Sequence, residues 1–522
     1  MNPMTVKTLI KPSEYHDSVS LMLVARELSN TEGVQDAAVV MATEANKSIL
    51  AGAGLLTSEA RAANPNDLVI AVSTKEASVA DSALQKAEVL LKKKAGGGEA
   101  GEFKPKTIRG AHSYQPAGNM AVISVAGRYA ADEAWEALLR GLHVMLFSDN
   151  VSLEDEIALK QYARDHGLLL MGPGAGTSII NNVALGFANV IPAGPVGIVS
   201  AAGTGLQEVS TLLARHGVGI TQGIGTGGRD LKKEVGGIMM LAALKALQQD
   251  PATKVMVLVS KPPAEEVVQL ILQQVSASGK PTVICFLGGD AGLLANLPNV
   301  IPAQTLQECA FLAAQAVKPE KGNLKSYLEE ENSRLTRRAR ELKLRLKPDQ
   351  RYLRGLFSGG TLCYEAQVIW KNLLSSPVYS NAPLPGGPVL SDSTKSQGHT
   401  AVDLWEEEFT VGRPHPMIDN DLRIRRLLQE AGDLEVAVIM LDVVIGYGAH
   451  PDPASELGKG IEEAQSLAKA GGRELLVVAS VTGTEADPQC LSQTIQTLTK
   501  KGVIVCDSNA AAARLTGMIV SG

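Results

Sequence analysis

The sequence predicts a multidomain α/β protein built on parallel sheets, and three observations support that prediction. The chain has 522 residues, which is enough for several domains of ordinary size. Hydrophobic residues make up 45% of it but aromatic residues only 4%, so small aliphatic side chains must fill the core. Strand-like apolar runs alternate with helix-like runs, and 51 glycines supply the tight turns that this alternation needs.

Charge and cysteine content narrow the class of protein further. A net charge of −6 gives no general attraction for nucleic acid or for an acidic membrane. The five cysteines are scattered without a CxxC pair, which is typical of reduced structural thiols, although one catalytic cysteine stays open as an alternative. We find no signal peptide, no apolar run of about 18 residues and no metal-ligand spacing. We therefore expect a cytoplasmic protein that binds small molecules and no metal.

Two segments are predicted before the main α/β pattern begins. Residues 1–92 alternate between helix-like and strand-like runs, which predicts a small N-terminal α/β domain. Its helices are expected near residues 21–28, 46–55 and 81–91. Residues 93–118 are rich in glycine and charge and are expected to form a linker.

Four further segments follow. Residues 119–192 and 193–318 each show a regular βαβ pattern, which predicts doubly wound parallel sheets. Residues 319–350 are rich in Lys, Arg and Glu and favour a solvated connecting helix over a functional basic patch. Residues 351–522 predict a third α/β region, and its glycine-rich turns suggest a coarse duplication of the preceding one.

Two glycine-rich turns stand where a predicted strand leads into a predicted helix, in residues 197–208 and 438–453. A helix N-terminus has unpaired N–H groups and a positive dipole end, so it binds anions well. We expect the two helix starts to converge on one phosphate or acyl phosphate; ordinary strand–helix turn chemistry is the alternative. The candidate anion ligands are Gly203, Thr204 and Gly205 in the first turn, and Gly446, Gly448, His450 and Asp452 in the second.

Other residues are candidates for holding or polarising the substrate. Arg229 follows the turn containing Gly227 and Gly228, and arginine suits bidentate binding of phosphate or carboxylate, unless it only forms a loop ion pair. Lys261 precedes two prolines and would supply a positive charge, or else is an exposed loop lysine.

A stiff Gly-Arg-Pro-His-Pro loop holds two more candidates, Arg413 and His415. The histidine is expected to act as a general acid or base or to polarise a carbonyl oxygen; a structural loop histidine is the alternative.

Several runs, taken in order, resemble the succinyl-CoA synthetase superfamily. Residues 171–176, 197–200, 223–228 and 280–289 resemble its α subunit, and residues 401–404, 442–448 and 481–485 resemble the carboxyl-terminal domain of its β subunit. Within the superfamily the best match is the FdrA group, with its YahF-like proteins. That match rests on residues 17–22, 147–151, 225–230, 260–264 and 412–419.

The resemblance implies a fold and a chemistry. It implies that residues 119–192 are a CoA-ligase-like Rossmann domain and that residues 193–318 and 351–522 are flavodoxin-like domains. Gly172 and Pro173 would then lie where CoA binds, so CoA is a possible cofactor but none is required. The chain departs from the synthetase because residues 287–292 contain no histidine to phosphorylate, Lys261 stands near the position of the supporting glutamate, and an ATP-grasp domain is absent.

The function that follows is group transfer through an acyl phosphate. FdrA-type proteins are linked by the resemblance to oxamate carbamoyl transfer in ureide (allantoin) catabolism with separate partner subunits, and carbamoyl phosphate is a small acyl phosphate. We therefore expect a carbamoyltransferase subunit in a homo- or hetero-oligomer. One alternative is an acyl-CoA ligase subunit that needs an ATP-grasp partner, and another is a non-catalytic sensor of CoA or acyl phosphate.

Overall fold

The computed structural model describes residues 5–14, 16, 18–95, 105–294, 297–410 and 414–521. The chain divides into two compact units. The smaller unit comprises Met1–Gly118, Ser124–Tyr129 and Glu406–Asp419, and the larger unit comprises the rest. Within the described ranges no helix is both long enough and apolar enough to cross a membrane.

The smaller unit is a three-stranded antiparallel sheet with helices on both faces. Its elements are β1 (Thr5–Lys11), α1 (Ser18–Ser29), β2 (Val34–Met41), α2 (Glu44–Gly52), α3 (Ser58–Ala62), β3 (Leu68–Thr74), α4 (Ala77–Ala95) and α5 (Ile108–Tyr114). The strand order is β1-β3-β2. The predicted small α/β domain is confirmed; β1 and α3 were not predicted, and α5 lies inside the predicted linker.

The side chains of the central strand β3 alternate between the two faces of the sheet, which explains why helices cover both faces. Leu68, Ile70 and Val72 join the cluster formed with α1 and α4, whereas Val69 and Ala71 join the cluster on the opposite face. Successive side chains of a strand point to opposite faces, so a strand that is apolar at every position needs cover on both.

A short three-stranded parallel sheet begins the larger unit. Its elements are β4 (Met120–Ile123), α6 (Gly127–Leu138, whose first residues belong to the smaller unit), β5 (His143–Leu146), α7 (Leu153–Asp165) and β6 (Leu170–Met171). The order β4-β5-β6 follows the chain without reversal. The predicted strands and helices of this stretch lie within a few residues of the observed ones.

The next elements form what we call the first parallel domain. They are β7 (Thr177–Ile180), β8 (Val183–Gly186), β9 (Ala193–Ser200), α8 (Gly203–Arg215), β10 (Ile220–Gly225), α9 (Ile238–Gln249), β11 (Val255–Ser260), α10 (Glu265–Ser276), β12 (Thr282–Phe286), β13 (Val300–Pro302) and α11 (Leu306–Val317), with a 3₁₀ turn at Ala291–Leu294. The hairpin β7–β8 lies within residues 119–192, which we assigned to the preceding domain. It belongs to the sheet of the first parallel domain, because β7 pairs with β10.

A 3₁₀ turn (Pro319–Lys321) and the predicted connecting helix, α12 (Leu324–Lys343), lead to the second parallel domain. Its elements are β14 (Tyr352–Phe357), α13 (Gly360–Leu373), β15 (Val378–Ser380), β16 (His399–Asp403), α14 (Glu407–Thr410, in the smaller unit), α15 (Asp421–Ala431), β17 (Val436–Val444), α16 (Pro453–Ala470), β18 (Leu476–Thr482), α17 (Leu491–Lys500), β19 (Ile504–Cys506) and α18 (Asn509–Val520).

The two parallel domains share one topology. The first has the order β13-β12-β11-β9-β10 followed by the hairpin, and the second has the order β19-β18-β17-β14-β16 followed by β15. With the hairpin and β15 left out and the remaining strands numbered in chain order, both orders are 5-4-3-1-2, that of a flavodoxin-like sheet. The expected duplication is therefore present as a repeated fold. Ligands of such sheets bind beyond the carboxyl ends of the strands where the order reverses, here after β9 and after β14.

Candidate functional site

Two helices begin at the strand-order reversals, and neither has a side-chain cap. Helix α8 starts at Gly203 after β9, and α13 starts at Gly360 after β14. Their N-cap residues, Ala202 and Gly359, accept no hydrogen bond through a side chain. Because the first N–H groups of a helix have no partner within it, each end leaves donors for a ligand.

The two helix ends meet. A Cβ atom placed on Gly359 would lie 2.8 Å from Thr204 Cγ2, and one placed on Gly205 would lie 3.1 Å from Thr361 Cγ2. Gly203 and Gly360 are partly exposed, whereas both threonines are buried. The two positive ends therefore adjoin at an accessible spot. We call Gly203, Thr204, Gly359, Gly360 and Thr361 the helix-end site.

The helix start that contacts α8 directly is that of α13, which the sequence prediction did not include. The convergence of α8 with the turn at Gly446 and Gly448 stays a prediction. The sequence did contain a signal, because Gly-Thr-x-x-x-Glu occurs at 203–208 and again at 360–365. Comparing the two first turns of the duplicated domains would have found Gly360 and Thr361.

A buried carboxylate holds the turn before α13. Asp442 on β17 accepts hydrogen bonds from the N–H groups of Ser358 (2.7 Å) and Gly359 (2.8 Å), and Arg423 donates to it at 2.9 Å. Burial raises the pKa of Asp442, while Arg423 and the N–H donors oppose that shift. The Gly359 N–H is therefore satisfied by protein, and the N–H groups from Gly360 onward are left for a ligand.

One predicted cation, Lys261, lies against helix α13. Lys261 directly follows β11, and its ammonium lies 5.3 Å from the ring centroid of Tyr364 in the first turns of α13. A Cβ on Gly288, which follows β12, would also contact Val368 of α13 and lie 3.7 Å from the Tyr364 ring. Residues 287–292 are the segment that the resemblance aligns with the phosphohistidine segment of the synthetase. Gly288 of this segment packs on α13, and Lys261 contacts the same helix.

An acid also faces the start of α13. Asp403 ends β16, is 1% exposed, and accepts a hydrogen bond from the Trp405 N–H at 3.0 Å. A Cβ on Gly360 would lie 2.6 Å from its Oδ2 atom, so no larger residue fits there without displacing the carboxylate. The site therefore combines Lys261 and two helix dipoles with one carboxylate.

The second predicted turn has a different role. Tyr447 donates its N–H to Ala188 O at 2.8 Å, and a Cβ on Gly448 would lie 2.9 Å from the Phe187 ring. His450 accepts the Asp452 N–H at 3.0 Å and pairs with Glu456 at 3.2 Å, while Asp452 caps α16. Gly446 follows β17 at the same sheet edge as Gly359. The side chains of His450 and Asp452, however, form their hydrogen bonds at the start of α16.

Arg229 is engaged in a structural ion pair. Its Nε lies 2.8 Å from Glu156 Oε2, and it donates to Val151 O at 2.8 Å. Glu156 also binds the fully buried Lys160, which in turn binds Asp230 and the Thr226 carbonyl at 2.8 and 3.0 Å. This network positions the turn that contains Gly227 and Gly228. The Thr226 N–H donates to Ser200 O, so the turn lies beside the end of β9, just before α8.

The remaining two predicted residues belong to the Gly-Arg-Pro-His-Pro loop. His415 belongs to the smaller unit, is 6% exposed, and accepts the Met417 N–H through Nδ1 at 3.0 Å. Arg413 lies outside the described residues.

The predicted CoA-binding turn contains a glycine that the protein's own packing requires. Gly172 has φ +118°, and a Cβ placed on it would lie 2.2 Å from Leu146 O. A Cβ placed on Gly227 would lie 2.6 Å from Pro173 O. The sheet β4-β5-β6 has no order reversal of its own. CoA binding at Gly172 and Pro173 stays a prediction.

Comparison with known families gives three matches. Residues 4–106 match the "AllF, heavy metal-associated domain" model, residues 193–288 the "CoA binding domain" model and residues 356–519 the "CoA-ligase" model. The first name implies a metal, but the sequence has no cysteine before Cys285, and the described residues contain no group of three or more His, Cys, Asp or Glu side chains placed to hold one. The CoA-binding match covers the first parallel domain rather than residues 119–192.

Among known proteins, the uncharacterized protein YahF of Escherichia coli (strain K12) is 44% identical over 97% of this chain and 97% of its own length. The α subunit of an ADP-forming succinate–CoA ligase from Methanothermobacter thermautotrophicus is 28% identical over 176 residues, which is 33% of this chain and 57% of that protein. That of Staphylococcus epidermidis is 29% identical over 178 residues, 33% of this chain and 56% of the subunit.

Solved structures show a more distant likeness. PH0766 from Pyrococcus horikoshii OT3 is 13% identical over 81% of this chain and 87% of its own, with a TM-score of 0.34. A dinucleotide-forming acetyl-coenzyme A synthetase 1 from Ca. Korarchaeum cryptofilum is 14% identical over 77% and 82%, with a TM-score of 0.28. The family therefore rests on sequence: the chain belongs to the YahF (FdrA-type) family of the succinyl-CoA synthetase, or CoA-ligase, superfamily.

Proposed function

We propose that this chain is the carbamoyl-transferring subunit of an oxamate carbamoyltransferase-like complex in ureide catabolism, with a small acyl phosphate held at the helix-end site. The observation that supports this is the meeting of two uncapped helix N-termini beside Lys261. Each end offers N–H donors and a positive dipole, and donors of this kind stabilise charge that develops on a leaving group.

The proposed reaction needs no phosphohistidine. The acceptor nitrogen of oxamate bonds to the carbamoyl carbon, the bond between that carbon and the bridging phosphate oxygen breaks, and phosphate leaves with the bonding electrons. The nitrogen loses its proton to a base. Gly203, Gly360 and Lys261 would bind the phosphate and stabilise its growing negative charge, so the lack of histidine in residues 287–292 does not obstruct the chemistry.

The proposed roles of the smaller unit are tested separately. We propose that His415 polarises the carbamoyl carbonyl and that Arg413 binds the acceptor carboxylate. Either role requires that His415→Ala or Arg413→Ala lower turnover of the assembled enzyme, and unchanged turnover in both would remove the loop from the mechanism.

Phosphate binding is the direct test of the site. Calorimetry with inorganic phosphate, and with carbamoyl phosphate in the presence and absence of oxamate, is done on the purified chain. We expect Lys261→Met to weaken phosphate binding about tenfold, since hydrogen bonds to charged groups contribute roughly 1.5–3 kcal/mol. Lys459→Met, at an exposed lysine on α16, is the matched control and should change affinity less than twofold. Equal losses in both variants would contradict the proposal.

The second candidate is an acyl-CoA ligase subunit, which is favoured by the CoA-ligase family match over residues 356–519. That function would require a partner to supply the ATP-grasp domain. CoA binding and acid-labile phosphate on this chain, seen only with ATP and a partner, would support it. Tight phosphate binding without turnover in any partner combination would instead support a sensor.

A further inference from the structure

The repeated Gly-Thr-x-x-x-Glu pattern ends on a buried glutamate in each parallel domain. Glu208 lies five residues after Gly203 on α8, and Glu365 lies five residues after Gly360 on α13. Both are 1% exposed. At 1.5 Å of rise per residue, each carboxylate is about 7.5 Å along its helix from the helix-end site. Neither residue has a part in the proposed chemistry, so their burial needs another explanation.

Each glutamate binds the last helix of the opposite domain. Glu365 Oε1 accepts the N–H of Leu306, the first residue of α11, at 2.6 Å. Glu208 Oε1 accepts the N–H of Asn509, the first residue of α18, at 2.9 Å. The N-caps of α11 and α18 satisfy the N–H groups of Glu308 and Ala511, so the first N–H of each helix is left for the glutamate.

Asn509 hydrogen-bonds to both glutamates. Its side-chain nitrogen donates to Glu365 Oε2 at 2.8 Å and to Leu362 O at 3.0 Å, while its backbone nitrogen donates to Glu208. The Thr482 hydroxyl donates to Glu208 Oε2. The two helices whose N-termini form the helix-end site are thereby each held to the other domain by hydrogen bonds.

We propose that Glu208 and Glu365 are positioning residues that hold the α8 and α13 N-termini at the separation needed for both to bind one anion. The proposal rests on the function proposed above. Since a hydrogen bond weakens steeply when its geometry is lost, freeing one glutamate lets the two helix ends separate, and a single phosphate then contacts only one of them.

Glutamine substitutions distinguish the two residues. Gln at 208 keeps both contacts, because the Thr482 hydroxyl is able to accept instead of donate. Gln at 365 places an NH₂ group against the Asn509 side-chain nitrogen, and turning that side chain over breaks its bond to Leu362 O. Glu365→Gln should therefore disturb the helix ends, whereas Glu208→Gln should not. The control is Glu430→Gln, at a buried glutamate paired with Arg354 and Arg426.

Two measurements test the proposal. The first is the rate at which a disulfide forms between Thr204→Cys and Gly359→Cys, whose Cβ atoms would lie about 3.0 Å apart, slightly closer than disulfides prefer. We expect Glu365→Gln to slow that cross-link at least about fivefold and the two other glutamine variants to change it less than twofold. The second is calorimetric affinity for inorganic phosphate, which should fall about tenfold in Glu365→Gln alone.

The possible outcomes distinguish the positioning role of the two glutamates from the proposed function. An unchanged cross-link rate in Glu365→Gln overturns the positioning role whatever the affinities are. A chain that binds no phosphate overturns the proposed function, and the cross-link rates still decide the positioning role. If Glu365→Gln does not fold, Thr482→Val is the variant to use, because it removes only the hydroxyl donor to Glu208. It should slow the cross-link by a smaller factor, and an unchanged rate would contradict the positioning role.

Discussion

Raising the pH from 4.5 to above 7 is expected to destabilise the second parallel domain through one buried carboxyl group. Burial raises the pKa of Glu365 from its ordinary value of 4.5 to about 7, against the opposing effect of its bonds to Asn509 and Leu306. The negative charge of Glu208 raises the pKa further, and Arg514 lowers it. Because the folded pKa lies above the unfolded one, the stabilising contribution is complete below pH 4.5 and is lost as the pH rises through about 7.

The size of the effect follows from the shift. A change of about 2.5 pKa units corresponds to roughly 3 kcal/mol, at about 1.4 kcal/mol for each unit. Glu365→Gln removes the titrating group, so the difference in unfolding free energy between the two proteins should change by roughly that amount across the interval. Other groups titrate in both proteins and cancel in the difference.

Trp370 provides the assay, because it is buried on the same helix and donates a hydrogen bond to Ala513 O at 2.9 Å. With Trp135→Phe and Trp405→Phe in both proteins, urea unfolding followed by fluorescence reports on this domain rather than on the whole chain. A single domain is also closer to two-state behaviour than the full protein. Stability curves that stay parallel between pH 4.5 and 7 would refute the buried, protonated Glu365.

Two further predictions concern packing at and near the site. Gly360→Ala should abolish phosphate binding and cost roughly 1–3 kcal/mol, because its Cβ would lie 2.6 Å from Asp403 Oδ2; Gly279→Ala, with nothing within 4 Å, is the calorimetric control, and equal effects of the two would contradict the close contact. Lys160→Met should cost about 3–5 kcal/mol, since it leaves two buried carboxylates without their shared cation. Scanning calorimetry measures that loss, and a loss below about 1 kcal/mol would contradict the prediction.

Much of the fold was predictable from the sequence, because buried parallel strands are continuous apolar runs. All six residues of β11 and all nine of β17 are buried, and the apolar runs at 255–260 and 436–441 predict both strands. β16 was not predicted, although all five of its residues are buried. Other strands that were not predicted are short or half-buried: β15 has three residues, and every residue of β1 is partly exposed. Such strands depend on neighbours that are distant in the chain, so local pattern does not reveal them.

The anion site stays a prediction, but the structure brings part of it together. Thr204 lies at the meeting of α8 and α13, and Lys261 lies against α13. The second turn was chosen from its glycines and its histidine, but those residues pack against residues 186–189 and serve the start of α16.

The sequence by itself determined the α/β class, the order of most elements and the family, and it indicated the start of α8 as a candidate anion site. Each of these depends on residues that are adjacent in the chain or repeat at a fixed period. Only the tertiary structure decided which helix end faces α8, that Arg229 is paired with Glu156, and that Glu208 and Glu365 each bind the other domain. Those facts depend on contacts between residues about 60 to 300 positions apart, which no local pattern encodes.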